Sequence, residues 1–170
     1  INAGKTTHQG LELSLNYPLV QRNLVLNAFA NYHYANYRFT EFVDDDTDYS
    51  GNELTGTPPH SFNLGLDGQW VSTGLYGHLD FRLLDAMPMR DDNSVYSEAW
   101  QTINLKLGWQ STFADHWGLD VYAGINNLLD EKYASMILIN AGSFGGRAPR
   151  YYYPGLPRNF YAGAKLRYQF

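Results

Sequence analysis

Trp117–Asn126 reads WGLDVYAGIN, with Trp117, Leu119, Val121, Ala123 and Ile125 alternating against Gly118, Asp120, Tyr122, Gly124 and Asn126. Successive side chains of a strand point to opposite faces, so period two puts every apolar residue of this segment on one face. The pattern recurs along the chain. Leu11, Leu13, Leu15 and Tyr17 show it first, then Phe62, Leu64, Leu66 and Trp70, followed by Leu75, Leu79, Phe81 and Leu83. Ile103, Leu105, Leu107 and Trp109 repeat it, as do Phe160, Ala162, Ala164, Leu166, Tyr168 and Phe170. Residues 24–37 are less regular, because Val25 and Phe29 fall on the face that carries Asn27, Asn31 and His33. The opposite set, Leu24, Leu26, Ala28, Ala30, Tyr32 and Tyr34, still reads as a strand. Seven strands and no full helical window predict an all-β chain.

The 170 residues carry a net charge of −5 with 17% charged, 44% hydrophobic and 16% aromatic residues, and no cysteine. Without cysteine there is no disulfide framework, thiolate zinc site or cysteine nucleophile. The mildly acidic balance gives no reason to expect a nucleic-acid partner. A mean hydropathy of −0.40 beside so many aromatics fits strands that are apolar on one side only. No run approaches the roughly 18 apolar residues of a membrane-spanning helix, so any spanning is done by strands. The polar opening INAGKTTHQG has neither the basic segment nor the apolar core of a secretory signal, and no initiator Met. The expectation is a mature protein or a piece of one.

Connections 18–23, 71–74 and 112–116 are short, whereas 39–59, 86–98 and 134–156 are long and rich in Gly, Asp, Pro and Tyr. Strict alternation of short and long sorts the turns to one end of an antiparallel up-and-down sheet, as in a transmembrane β-barrel. An apolar band of about 25 Å crossed by strands tilted about 40° needs on the order of ten residues per strand. Most segments reach that length. Tyr17, Trp70, Phe113, Trp117, Tyr168 and Phe170 then form one interfacial belt, and Tyr32, Tyr34, Tyr37, Trp100 and Tyr133 the other. Seven strands do not close a bacterial single-chain barrel, whose strand number is even, so the chain is expected to be a portion of one.

Five short elements carry a family resemblance. The ending AGAKLRYQF (residues 162–170) resembles the terminal strand of outer-membrane barrels. INNLLDEKY (125–133) resembles the N-N-L-F-D-x-x-Y element of TonB-dependent receptors, with Leu129 in place of the usual Phe. YPGLPRN (153–159), GTPPHS (56–61) and GLEL (10–13) resemble that family's P-G-x-P-R, P-x-H-S and G-x-E elements, in the family's order. The resemblance implies that residues 1–170 are the C-terminal portion of the barrel domain, about seven strands of a 22-stranded barrel in a Gram-negative outer membrane. It implies outer-membrane lipid, the rest of the barrel, an N-terminal plug and TonB as partners, the last two through sequence outside this chain. It implies energy-coupled uptake, with a ferric siderophore, an iron chelate, as first expectation and no resident cofactor. A passive porin or adhesin barrel and a barrel enzyme are the alternatives. The enzyme needs a rim Ser/His/Asp set that cannot be assembled, so no catalytic residue is expected.

For ligand binding the richest segment is the last long loop. Arg147, Arg150, Tyr151, Tyr152 and Tyr153 combine guanidinium forks with aromatic faces, suited to an anionic, ring-bearing chelate, and Trp100 borders the same mouth with Met87 and Met89. Equally, Tyr151, Tyr152 and Tyr153 read as interface belt and Arg150 as a loop salt bridge. Arg147, Ala148 and Pro149 match half of a haem-receptor signature whose other half is not found. Asp44, Asp45, Asp46 and Asp48 invite calcium, but an EF-hand starting at Asp44 needs Gly and Glu where Tyr49 and Thr55 stand. The five His residues lack metal-ligand spacing, so no metal site is expected. Glu12, Asp67, Asp80, Arg82, Lys106, Asp120, Lys165 and Arg167 line the inward face, as solvating wall or plug contact.

Overall fold

The computed structural model describes residues 4–170, with only the backbone of Gln21; the first three residues of the polar opening lie outside it. In chain order the strands are β1 (Lys5–Gln21), β2 (Leu24–Glu41), β3 (Val43–Asp44), β4 (Thr47–Asp48), β5 (His60–Trp70), β6 (Leu75–Leu84), β7 (Trp100–Phe113), β8 (Trp117–Asn126), β9 (Ala134–Ile137), β10 (Tyr152–Pro154) and β11 (Asn159–Tyr168). The described residues contain no helix. Seven long strands form one antiparallel sheet in the order β1-β2-β5-β6-β7-β8-β11, which is chain order once the small hairpins are set aside. This is the expected all-β, up-and-down architecture. Within the chain the sheet is open, with β1 and β11 at its edges.

Several boundaries differ from the periodicity. β1 runs straight through Pro18, and the first short turn is only Arg22 and Asn23 instead of 18–23. Proline costs a ladder donor, and Pro18 still keeps its register opposite Asn27. β2 continues past Tyr37 to Glu41, because β1 supplies partners along its whole length. The long loops also contain structure of their own, the hairpins β3–β4 and β9–β10.

Register converts the alternation into two complete rows. Tyr17, Ala28, Leu66, Leu79, Leu105, Ile125 and Phe160 lie side by side across all seven strands. The next row, Pro18, Asn27, Asp67, His78, Lys106, Gly124 and Tyr161, belongs to the opposite face. The apolar row starts near the short-turn end of β1 and finishes at the loop end of β11, the stagger that tilted barrel strands require.

Neither face of the sheet covers a core. Leu15, Leu107 and Leu166 are 70%, 58% and 60% exposed, and among the described residues the buried hydrophobic ones are only Ala35, Met89 and Ala141. A continuous apolar face of this size is untenable in water and ordinary in lipid.

The polar face has an order that alternation does not reveal. Phe29, Tyr76, Tyr161 and Tyr122 lie over Gly65, Gly108, Gly124 and Gly163 of neighbouring strands, so closely that a Cβ at any of these glycines would enter the ring. Phe29, the residue that spoils the pattern of β2, is there to cover Gly65. Rings laid across glycines recover packing that a bare strand backbone loses.

One belt stands as expected and the other is revised. At the short-turn end Trp117 meets Tyr168 at 4.9 Å and Tyr168 meets Phe170 at 5.0 Å between centroids. At the loop end Tyr32 and Tyr34 flank His60 on the apolar side. Tyr37 instead shares the polar face with His8 and His33, and Trp100 shares it with Thr102 and Asn104. Height along the strand suggests the lipid side for both, whereas parity decides the face.

Candidate functional site

The three long loops are tied into one body above the sheet. The Asn140 side chain donates to Asp91 Oδ2 at 2.9 Å, and the Asp91 N–H donates to Asn140 Oδ1 at 3.1 Å. The Thr55 hydroxyl donates to the same carboxylate from the first loop. Glu53 and Asn93 exchange two bonds, Glu53 N–H to Asn93 Oδ1 at 2.7 Å and Asn93 Nδ2 to the Glu53 carbonyl at 3.0 Å. Met89 is 1% exposed beneath this network. It is a packing residue of the cap and not a lining of the mouth.

Charges in the cap are held by near neighbours. Asp92 titrates below its ordinary value because Ser94 donates from both hydroxyl and N–H, with help from Arg90. Arg90 is held above its ordinary value by the Tyr151 hydroxyl and then by Asp92. Burial, then the bond from its hydroxyl to Glu53, raises Tyr96. The acidic run forms the tip of β3–β4, where Asp45 and Asp46 take φ of 43° and 64° in a two-residue turn. Asp tolerates that conformation. Among the described residues no group of three or more His, Asp and Glu is placed to hold a metal ion.

A second network closes the base of the last loop. Asn127, 2% exposed, donates to the carbonyls of Glu131 at 2.8 Å and Leu156 at 3.1 Å, and accepts from the Glu131 N–H at 2.9 Å. Asp130 accepts from the Arg158 N–H at 2.9 Å and pairs with its guanidinium at 3.7 Å. The Tyr133 ring sits on Gly155, whose N–H bonds the Tyr133 carbonyl. The INNLLDEKY and YPGLPRN segments therefore lock onto each other, joining the exit of β8 to the start of β11.

Beside this lock lies a cavity of about 520 Å³. Its walls include Trp100, Tyr133, Ile137, Tyr152 and Pro157, with Glu98, Asp130, Glu131 and Lys132 among its lining. The Trp100 and Tyr133 rings approach to 4.7 Å. Trp100 also borders a second concavity on the polar face, lined by Glu12, Ser14, Asn31, His33, Asn63 and Arg82. Of the residues expected to bind ligand, the structure brings Trp100 and Tyr152 together here. Tyr151 turns toward Arg90, and Tyr153 pairs with Met136 across the ribbon. Arg147 closes the tight turn Phe144-Gly145-Gly146-Arg147, with φ of 60° and 72° at the two glycines. Arg147 and Arg150 are exposed and do not line the cavity, and among the described residues neither is ion-paired. Sequence reading missed Glu98, Glu131 and Ile137, and gave Tyr133 to the lipid interface.

Residues 1–128 match the family described as TonB dependent receptor-like, beta-barrel. The chain belongs to the TonB-dependent receptors. The ferric yersiniabactin uptake receptor FyuA from Yersinia pestis shares the fold at a TM-score of 0.70 and 21% identity, over 99% of this chain and 24% of that one. The siderophore receptor PiuA from Acinetobacter baumannii does so at 0.73 and 17%, over 96% and 22%. The chain thus spans about a quarter of the length of these two receptors. No curated protein matches it.

TonB-dependent receptors are outer-membrane proteins of Gram-negative bacteria, and transporters instead of enzymes. In such a receptor the apolar rows meet lipid and the polar rows face the lumen. Several lumenal charges of this TonB-dependent receptor wall are paired locally. His78 approaches Asp67 at 2.7 Å, Arg82 reaches Asp80 at 3.2 Å, and the Tyr76 hydroxyl donates to Asp120 at 2.7 Å. Lys106 Nζ lies 4.4 Å from the centroid of the Tyr122 ring.

Proposed function

We propose that this chain is wall and loop cap of an energy-coupled outer-membrane receptor that imports a ferric siderophore. The observation that carries the reading is the aromatic cavity beside the Asn127 lock, at the loop end of a sheet with one lipid face and one polar face. The fold shared with FyuA, a ferric yersiniabactin uptake receptor, and PiuA, a siderophore receptor, favours the same cargo. In this reading Arg147 and Arg150 engage the anionic iron centre, while Trp100, Tyr151, Tyr152 and Tyr153 offer ring faces. A plug, the remaining strands and TonB act through sequence outside residues 1–170.

The test is uptake of radio-iron by cells whose only receptor is the full-length protein, supplied with catecholate, hydroxamate and phenolate chelates. At least one chelate is taken up saturably, and only when TonB is present. Size-limited flux independent of TonB indicates a passive pore, and turnover of a lipid or peptide substrate indicates an enzyme; either result overturns the proposal.

A further inference from the structure

The cavity walled by Trp100, Tyr133 and Tyr152 has its own charge preference. Its volume, about 520 Å³, lies in the range of small-molecule sites. Indole and phenol faces attract cations through the ring quadrupole, indole most strongly. The charged lining is Glu98, Asp130, Glu131 and Lys132, and Arg158 already occupies Asp130. That leaves Glu98 and Glu131 against Lys132, and among the described residues neither carboxylate is ion-paired. Among the described residues no guanidinium lines the cavity. An anion entering here meets a lining with more carboxylate than ammonium, and an uncharged group gains nothing from that excess. A cation satisfies carboxylates and ring faces together.

We propose that this cavity binds an organic ammonium group. The assignment of that group to an arm of an imported chelate rests on the uptake reading above; the site itself does not. The ligand would then be zwitterionic, its anionic centre at Arg147 and Arg150 and its amino arm between Trp100 and Tyr152.

The experiment titrates the purified full-length receptor in detergent with choline, and with the uncharged isostere in which carbon replaces the quaternary nitrogen. Tryptophan fluorescence and calorimetry are the readouts. Choline is expected to bind at least about tenfold more tightly than the isostere. Trp100→Ala and Glu131→Gln are each expected to weaken choline about tenfold, while heat-modifiable migration confirms a folded barrel. Equal binding of both probes makes the cavity a plain apolar pocket and overturns the proposal, as does binding of neither. Chelate uptake without choline binding removes the ammonium site and leaves the uptake reading intact. Choline binding without chelate uptake does the reverse.

Discussion

Asn140 and Asp91 hold each other through two hydrogen bonds, amide to carboxylate at 2.9 Å and backbone N–H to side-chain carbonyl at 3.1 Å, across 49 residues of sequence. With the Thr55 hydroxyl on the same carboxylate, one side chain couples all three long loops. Asp91→Ala removes two accepted bonds, a loss of about 1–2 kcal/mol in local stability. Amide exchange around residues 52–56, 89–95 and 138–141 should then quicken together by about 5- to 30-fold, with β5 to β8 unchanged. Acceleration confined to residues 89–95 would show that the loops move separately.

Asn127 joins two tasks, a left-handed backbone with φ of 52° and three side-chain bonds. Asn127→Gly keeps the conformation and loses the bonds, at about 1–3 kcal/mol. Asn127→Asp should cost more, since a carboxylate would face the carbonyls of Glu131 and Leu156 that now accept from the amide. Thermal unfolding of the heat-modifiable barrel ranks the variants, and Asn127→Asp as stable as the parent would contradict the lock.

Tyr76 covers Gly108, and its hydroxyl reaches Asp120 at 2.7 Å. Gly108→Ala forces the ring away, an overpacking cost of about 1–3 kcal/mol. Combining it with Tyr76→Leu should recover part of that loss, because a flexible side chain can yield. Strictly additive effects would mean that ring and glycine are independent.

The loop cap should be insensitive to pH between about 5 and 9. Asp48 and Asp92 titrate below their ordinary value of 3.8, the first because Ser50 donates to it, the second because Ser94 does. A depressed carboxylate stabilises above its unfolded pKa, and the gain fades as pH falls through the lower folded value. Tyr96 is raised above 10.0, so its contribution is complete below that and is lost as pH climbs through the folded value. Exchange protection of residues 90–96 measured against pH should form a plateau with losses only outside these limits; a midpoint near pH 6.5 would point to a histidine instead.

The sheet was legible because lipid and water impose opposite chemistry on alternate residues. Leu119, Asp120 and Val121 announce their faces without help from distant sequence. The terminal aromatics Trp117, Tyr168 and Phe170 were legible for the same reason. Phe29 looked like an error of pattern because its partner Gly65 lies on another strand. Tyr37 and Trp100 were given to the interface by height, although parity put them on the polar face. The cap was illegible: Asn52, Glu53, Asn93 and Asn140 are ordinary loop residues until folding brings them together, and no period marks bonds that span 40 or 49 residues. The cavity was half visible, through Trp100 and Tyr152, because its other walls come from the lock between two short motifs.

The central claim, a barrel wall with one lipid face and one lumenal face, is tested most directly along β8. This chain has no cysteine, so single cysteines can be placed at successive positions from 118 to 125 and spin-labelled in the full-length receptor reconstituted in bilayers. Collisions with oxygen and with a water-soluble nickel chelate report lipid and water. Oxygen access should peak at 119, 121, 123 and 125 and nickel access at 118, 120, 122 and 124. Access without a period of two, or with the two faces exchanged, would contradict the account.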